Sequence, residues 1–351
     1  MTQPSRTVAA ESSSPTAWRM PAEWAPHERT LMAWPTRKSL WGPYFDEARA
    51  EYAATANAIA AFEPVLMVAN PGQGAEARAA CTAGVTVVEL AIDDSWLRDS
   101  GPLVVLDGEG RRAAVDFRFN SWGGRFLPYD QDATVSRRLL SVLGIERVDS
   151  GMVLEGGSIT VDGEGTLITT EQCLLNHNRN PYLTREEIEA ELMTRLGVTK
   201  VVWLPFGHAA DEHTDGHVDG VCTYVRPGVV LAQSCDDPAN PDHARMAANL
   251  EVLRTTTDAA GRKFEVLEMP QYPVHTLPDG TKTSVSYANF YVANGAVIVP
   301  TAGHPLDEPA LAQIADAFPD REVVGVPGNV VSYGGGGVHC ITQQVPAAVR
   351  P

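Results

Sequence analysis

Cys340 stands behind four consecutive glycines, Gly334 to Gly337, with Val338 and His339 between them and the thiol. Glycine permits backbone angles and close approaches that a side chain would block. The segment therefore predicts a tight loop presenting a sulfur at the edge of a packed element. No Gly-Lys-Ser or Gly-Lys-Thr follows, so a phosphate-cradling P-loop is a poor reading. Two readings of Cys340 remain: a nucleophile, or a small buried hydrophobe beside a turn.

Three other stretches carry groups that could serve such a thiol. Asp93 to Pro102 sets three acids, Arg98 and Trp96 between two apolar stretches. Loops at strand ends often carry function. Either Arg98 forms an ordinary ion pair there, or Asp99 enters a cleft with Trp96 laid over a substrate chain. Glu155 falls in a strand-to-glycine turn, Val153 to Ile159, where it faces a ligand or stabilises the turn. Asp211 to Gly220 brings together acids, His213 and His217. On a strand His217 and Asp219 would share a face. A metal is disfavoured, because there is no His-Glu-x-x-His and Gly216 interrupts the segment. A histidine paired structurally with an acid is one account. His217 working with a distant cysteine is another, since imidazole transfers protons near neutral pH.

The elements that must position these groups alternate short strands and helices. Strands are expected near Thr30 to Ala33, Val65 to Ala69, Val85 to Leu90, Leu103 to Leu106 and Lys200 to Leu204. Helices are expected over Asp46 to Ala61, Asp130 to Leu143 and Pro241 to Thr255. Thr184 and Glu187 have capping-box spacing, which predicts a helix to about Leu196. Asn294-Gly295 reads as a hairpin turn, with Asn289 just before it as polar support for a site or for the fold. The period of the pattern is irregular, there is no Gly-x-Gly-x-x-Gly after the first strand, and no linker divides the chain. Residues 1–17 read as a flexible tail and 18–351 as one domain.

The 351 residues carry a formal charge of -17, from 27 basic and 44 acidic side chains. That balance disfavours nucleic acid and suits a small cationic substrate. Five widely spaced cysteines, Cys81, Cys173, Cys222, Cys235 and Cys340, suggest no disulfide framework. No Cys-x-x-Cys pair marks a structural zinc. The first 17 residues lack the apolar core of a signal peptide, and no apolar run is long enough to span a membrane. A soluble, cytoplasmic protein is expected.

Taken in order, the segments Met20 to Pro35, Asp94 to Pro102, Glu155 to Ser158, Asn176 to Pro181, Thr214 to Asp219, Ser286 to Pro300 and Gly334 to Gln344 resemble the agmatine deiminase family. That family lies within the peptidylarginine deiminase-like, guanidino-modifying superfamily, and the resemblance runs from Met20 to Pro346. It implies an α/β fold, a single-domain α/β-propeller with five-fold pseudosymmetry (the pentein fold). It implies Cys340 as nucleophile, His217 as general acid/base, and Asp99 and Asp219 on a guanidinium group. Glu155 becomes a further acidic contact or orienting residue, and Trp96 lies by the substrate. The chain departs from the usual motifs at Gly337 and Gly220, where Asn is often found, and at His213.

The resemblance further implies hydrolysis of agmatine to N-carbamoylputrescine and ammonia, in polyamine metabolism. The implied route is a cysteine thiouronium, with no metal or organic cofactor, in a homodimer or larger homo-oligomer. Alternatives are a deiminase for arginine or another guanidino compound, an amidinotransferase, and a noncatalytic polyamine-binding protein. The acids Asp211, Glu212 and Asp215 favour an amine over a carboxylate at the far end of the substrate, because like charges repel.

Overall fold

The computed structural model describes residues 18–270 and 274–348. The tail expected over 1–17 lies outside them. The helix Arg185–Leu196 illustrates how local sequence sets an element. The Thr184 hydroxyl accepts from the Glu187 amide while the Glu187 carboxylate accepts from the Thr184 amide at 2.8 Å. Such a cap stabilises a helix by about 1 kcal/mol. Gly197, at φ +66°, ends the helix in the left-handed region that glycine tolerates. Ile188, Leu192 and Leu196 recur every fourth residue and form its buried face. The helix expected over 130–143 splits instead into a 3-10 turn, Asp132–Thr134, and the helix Val135–Leu143. Asp132 is buried there and accepts from the Asp93 amide at 2.9 Å, which fixes the first turn to the neighbouring loop.

Among the described residues the strands form six sheets. In the largest, His27–Ala33 pairs antiparallel with Thr342–Pro346 and parallel with Val65–Ala69, and Val85–Glu89 is the far edge. Four three-stranded sheets repeat the antiparallel-then-parallel pairing around Arg112–Arg118, Thr166–Thr170, Val229–Gln233 and Ala296–Thr301. Three of these central strands and Val65–Ala69 are buried along almost their whole length. Their near-continuous apolar runs fit strands covered on both faces. The sixth sheet is the hairpin of Val274–Thr276 and Lys282–Ser284.

The α/β class holds, but the five-fold pseudosymmetric propeller does not. Every sheet is open, and among the described residues none closes into a barrel or propeller. Each middle strand uses both of its edges within its own small sheet, so no ladder continues from one sheet into the next. The fold is α/β with several small mixed sheets.

What the repeated pairing does provide is a series of similarly placed turns. The outer antiparallel strands Leu103–Leu106, Ile159–Val161, Cys222–Arg226 and Thr342–Pro346 each begin shortly after a single helical turn. Those turns are Leu97–Ser100, Gly156–Ser158, Val218–Gly220 and His339–Ile341. Asn289 stands in the same place before Tyr291–Ala293. Among the described residues no helix is long and apolar enough to cross a membrane.

Candidate active site

Those five turns supply Asp99, Gly157, Asp219, Asn289 and Cys340, and the structure brings them together. The Cys340 thiol faces two acceptors, Asp219 Oδ2 at 3.5 Å and Asn289 Oδ1 at 3.4 Å. The Asn289 side-chain amide donates to the Asp219 carbonyl at 3.2 Å, and its Oδ1 also accepts from the His339 amide at 3.0 Å. Asp99 accepts from the Gly157 amide and from the Trp122 indole, both at 2.9 Å. His217 Nδ1 lies 3.8 Å from Asp99 Oδ1. His217 Nε2 is buried with no hydrogen-bond partner among the described residues.

His217 and Asp219 do converge, but not as strand neighbours. Asp215 at φ +62° and Gly216 at φ +93° break the extended chain, Val218–Gly220 is a 3-10 turn, and the strand starts only at Cys222. Gly157 shows how tightly the groups meet. A Cβ at that position would lie 2.6 Å from His217 Nδ1, 2.8 Å from Asp219 Oδ2 and 2.9 Å from Asp99 Oδ1.

Asp99, Glu155, His217 and Asp219 are all buried. A buried charge costs several kcal/mol unless it is paired, so the pairings decide which groups stay ionised. Burial alone would lower the His217 pKa. Asp99, then Cys173 and Asp219, outweigh it and hold the imidazole well above its usual value. Burial raises the Asp99 pKa; His217 pulls it back, while the Asp219 and Glu155 charges push it the same way as burial, and the net direction is up. For Asp219 burial is overcome by His339, His217 and Arg98, which bring the carboxyl below its usual value. The Cys340 thiol is pushed well up, first by burial and then by Asp219 and Asp99. At rest the site thus holds a protonated thiol beside an ionised carboxylate.

Glu155 and Trp96 have protein partners of their own. Glu155 does not lie open to a ligand: Arg179 Nε binds its carboxylate at 2.6 Å. Arg179 also binds Asp215 at 2.9 Å and the Thr214 carbonyl at 2.9 Å. Glu155, Cys173 and His217 bring ligand-type atoms within 4.8 Å of one another. The Arg179 cation already bonds the carboxylate of that cluster, and the arrangement suits holding His217 in place. Trp96 is buried, stacked on Trp41 with ring centroids 5.7 Å apart. It still lines a small cleft with Asp99, Trp122 and Cys340.

The glycine run has one physical reason per residue. A Cβ on Gly334 would come within 2.4 Å of the Trp41 ring, and one on Gly336 within 2.4 Å of the Trp96 ring. Gly335 has φ +98°, and a Cβ on Gly337 would approach Asn289 Oδ1 to 2.4 Å. The loop lies flat on two indoles because it has no side chains.

A cavity of about 280 Å³ opens above Cys340, His217 and Asp219. Its outer wall carries Asp211 and Glu212, with Asp215 behind them in the same loop. Asp215 is engaged by Arg125, Arg179 and Asn178. Asp211 accepts from the amides of His213, Thr214 and Gly216 and from the Thr214 hydroxyl, so it braces its own loop. Glu212 is the acid of the three without a side-chain partner among the described residues, and it lines the cavity. Lys282 lines it too. Sequence reasoning missed Lys282, Arg179 and His339. His339 carried a local signal in its position directly before Cys340, and Arg179 in its place within the Asn176 to Pro181 motif; Lys282 carried none.

Residues 19–346 match the family described as Porphyromonas-type peptidyl-arginine deiminase. An agmatine deiminase of Pseudomonas aeruginosa is 45% identical over 370 aligned residues, covering 99% of this chain and 99% of its own length. One from Pseudomonas fluorescens is 46% identical, covering 94% of this chain and 96% of its own. The solved agmatine deiminase of Enterococcus faecalis superposes with a TM-score of 0.91 at 36% identity, covering 95% of this chain and 97% of that one.

Proposed function

We propose that this chain, which belongs to the Porphyromonas-type peptidyl-arginine deiminase family and within it to the agmatine deiminases, hydrolyses agmatine to N-carbamoylputrescine and ammonia. The observation that carries the reading is the Asp219 carboxylate 3.5 Å from the Cys340 thiol on the wall of one cavity. An anion beside a nucleophile is a poor arrangement for an anionic substrate and a good one for a planar cation. Asp99 and Asp219 accept the N–H bonds of the guanidinium in fork geometry and hold its central carbon over Cys340.

The guanidinium charge offsets the carboxylates that keep the thiol protonated, and the thiolate forms in its presence, its proton passing to solvent. The sulfur–carbon bond forms, and His217 gives a proton to the departing nitrogen, which leaves as ammonia. The S-alkylthiouronium that remains is attacked by water, with His217 now taking the proton. The carbon–sulfur bond breaks, the urea is released, and Cys340 regains its starting state. Glu155 and Cys173 lie beside His217 and favour its charged or oriented form, and Trp96 floors the cleft for the tetramethylene chain. No step calls for a metal or an organic cofactor.

The sequence from 18 onward acts as one catalytic domain in this reading, cytoplasmic and in a homodimer or larger homo-oligomer; light scattering that finds monomer alone would remove the assembly claim. For the reaction, purified protein given agmatine should release ammonia and N-carbamoylputrescine in equal amounts, and Cys340→Ala should release neither. Turnover of another guanidino compound in place of agmatine would move the substrate and keep the chemistry. Product formation by Cys340→Ala would remove the covalent route.

A further inference from the structure

His339 precedes the nucleophile, yet it does not face the substrate cavity. It lines a separate cavity of about 20 Å³ on the other side of Asp219, together with Glu23, Arg98 and Gln344. Asp219 lines both cavities. The two ring nitrogens of His339 meet two carboxylates: Nδ1 lies 2.9 Å from Asp219 Oδ2 and Nε2 lies 2.8 Å from Glu23 Oε2. An ionised carboxylate only accepts, and a neutral imidazole has one donor. Both contacts are satisfied at once when the ring is an imidazolium. Behind it, Glu23 accepts from the Val292 amide at 2.9 Å and lies 3.7 Å from Arg98 Nη2. Arg98 is itself fixed, donating to the His339 carbonyl at 3.2 Å and to Gln344 Oε1 at 2.8 Å. Asp219, His339, Glu23 and Arg98 thus alternate in charge from the cavity wall to the N-terminal lead-in.

We propose that His339 is a positioning residue, an imidazolium clamped between Glu23 and Asp219 that keeps Asp219 ionised and turned toward the cavity before the substrate cation arrives. The inference rests on the reading that Asp219 grips the guanidinium. A buried carboxylate without a partner takes up a proton and loses an acceptor. Of the other groups around Asp219, Cys340 brings an uncharged thiol and Asp99 brings like charge; His217 and Arg98 add positive charge, but His339 is the cation that hydrogen-bonds the carboxylate among the described residues. The backbone of the turn has its own ties through Asn289. The ring of His339 is therefore separable from the placement of the loop.

The test uses the full chain with His339→Phe, His339→Asn and Glu23→Gln. KM and kcat for agmatine are measured across pH, with a thermal melt for each variant. The groups facing His339 are Asp219, Glu23 and Arg98; those facing Asp219 are also His217, Cys340 and Asp99, which every variant retains. His339→Phe is expected to raise KM by about tenfold or more, with a smaller fall in kcat, and to move the acidic limb of kcat/KM to higher pH. His339→Asn, whose amide can still donate to Asp219, is expected to recover part of the loss. Glu23→Gln removes the anion that keeps the ring protonated, so its KM is expected to climb as pH rises through neutrality.

A folded His339→Phe with wild-type KM and an unmoved acidic limb would overturn the proposal. Should that variant not fold, a Glu23→Gln protein whose KM follows the wild-type pH course would do the same. Asp219→Asn separates the two levels. If it leaves KM unchanged, the functional reading falls and this inference with it. If it abolishes binding while the His339 and Glu23 variants behave as wild type, this inference alone falls.

Discussion

The Cys340 sulfur lies 3.5 Å from Asp219 Oδ2, so the proposed nucleophile rests against an anion and not against a base. At an effective dielectric near 20, two negative charges at that separation repel by roughly 5 kcal/mol. That repulsion raises the pKa of the thiol, in the direction already set by burial. The free protein should therefore be alkylated at Cys340 slowly by neutral iodoacetamide at pH 7. A haloacetamidine, which carries its own cation, should react much faster. Asp219→Asn should quicken the iodoacetamide reaction while turnover falls by about a hundredfold or more. Mass spectrometry of the Cys340 peptide reads both rates. Equal rates for the two reagents would show that the carboxylates do not control the thiol.

Gly157 has no room for a methyl group. Its hypothetical Cβ meets His217 Nδ1, Asp219 Oδ2 and Asp99 Oδ1, all under 3.0 Å, while its amide donates to Asp99. These are fixed, buried groups, and overpacking of that kind costs roughly 1–3 kcal/mol. Gly157→Ala should lower the melting temperature modestly and kcat/KM severely, because it separates the groups that must converge on one carbon. A variant with wild-type kcat/KM would mean that the three groups reach their working positions by some other path.

Local signals were legible in the sequence where local physics decides. The capping box from Thr184 to Glu187 set its helix, and the ordered motifs marked the segments that hold Asp99, Gly157, Asp219, Asn289 and Cys340, although the strand expected at Asp219 is a 3-10 turn. What was not legible depends on pairs far apart in the chain. Glu155 read as a further acidic contact or an orienting residue, and nothing near it in sequence announces Arg179 as its partner. Asp211 and Asp215 looked like free acids because their hydrogen bonds exist only once the loop has turned at positive φ. The closure of the sheets was inferred from likeness, and hydrogen-bond pairing, which sequence pattern does not count, gave separate open sheets instead.

Glu23 makes a prediction about acid stability. Burial pushes its carboxyl up, but His339 and Arg98 pull it down from 4.5 to about 2. A carboxylate depressed on folding contributes stability that is present above its unfolded value and is lost as pH falls through its folded value. The window is therefore from about pH 4.5 down to about 2, and the contribution is at most roughly 3 kcal/mol. His339 has the opposite sign: its pKa is raised on folding, so its contribution is complete below 6.5 and is lost as pH rises through the folded value. Urea unfolding of wild type and Glu23→Gln should show a gap at pH 5 to 6 that closes toward pH 2. A gap independent of pH in that range would reject the ion pair as its source.

Two exposed side chains on the cavity wall, Glu212 and Lys282, are expected to act on the far end of the substrate. Glu212 attracts the ammonium of agmatine, and Lys282, on the strand Lys282–Ser284, repels it and would welcome a carboxylate. Asp211 and Asp215 are held by their own partners and weigh less than the sequence suggested. With Asp219 deeper in the same cavity, the balance still favours a substrate that is cationic at both ends. Agmatine should exceed arginine in kcat/KM by roughly two orders of magnitude or more, the scale of a few kcal/mol in discrimination. Glu212→Gln should cut agmatine kcat/KM by about fivefold or less while changing arginine little, because a solvated charge pair contributes modestly. Lys282→Gln should widen the ratio by lowering the KM for agmatine and raising that for arginine. Side-by-side kinetics with agmatine, arginine and guanidinoalkylamines of different length measure all three. If neither substitution moves the ratio, the wall charges do not select the substrate. If arginine is the better substrate of the wild type and Lys282→Gln abolishes that preference, Lys282 dominates the wall and the far end is built for a carboxylate.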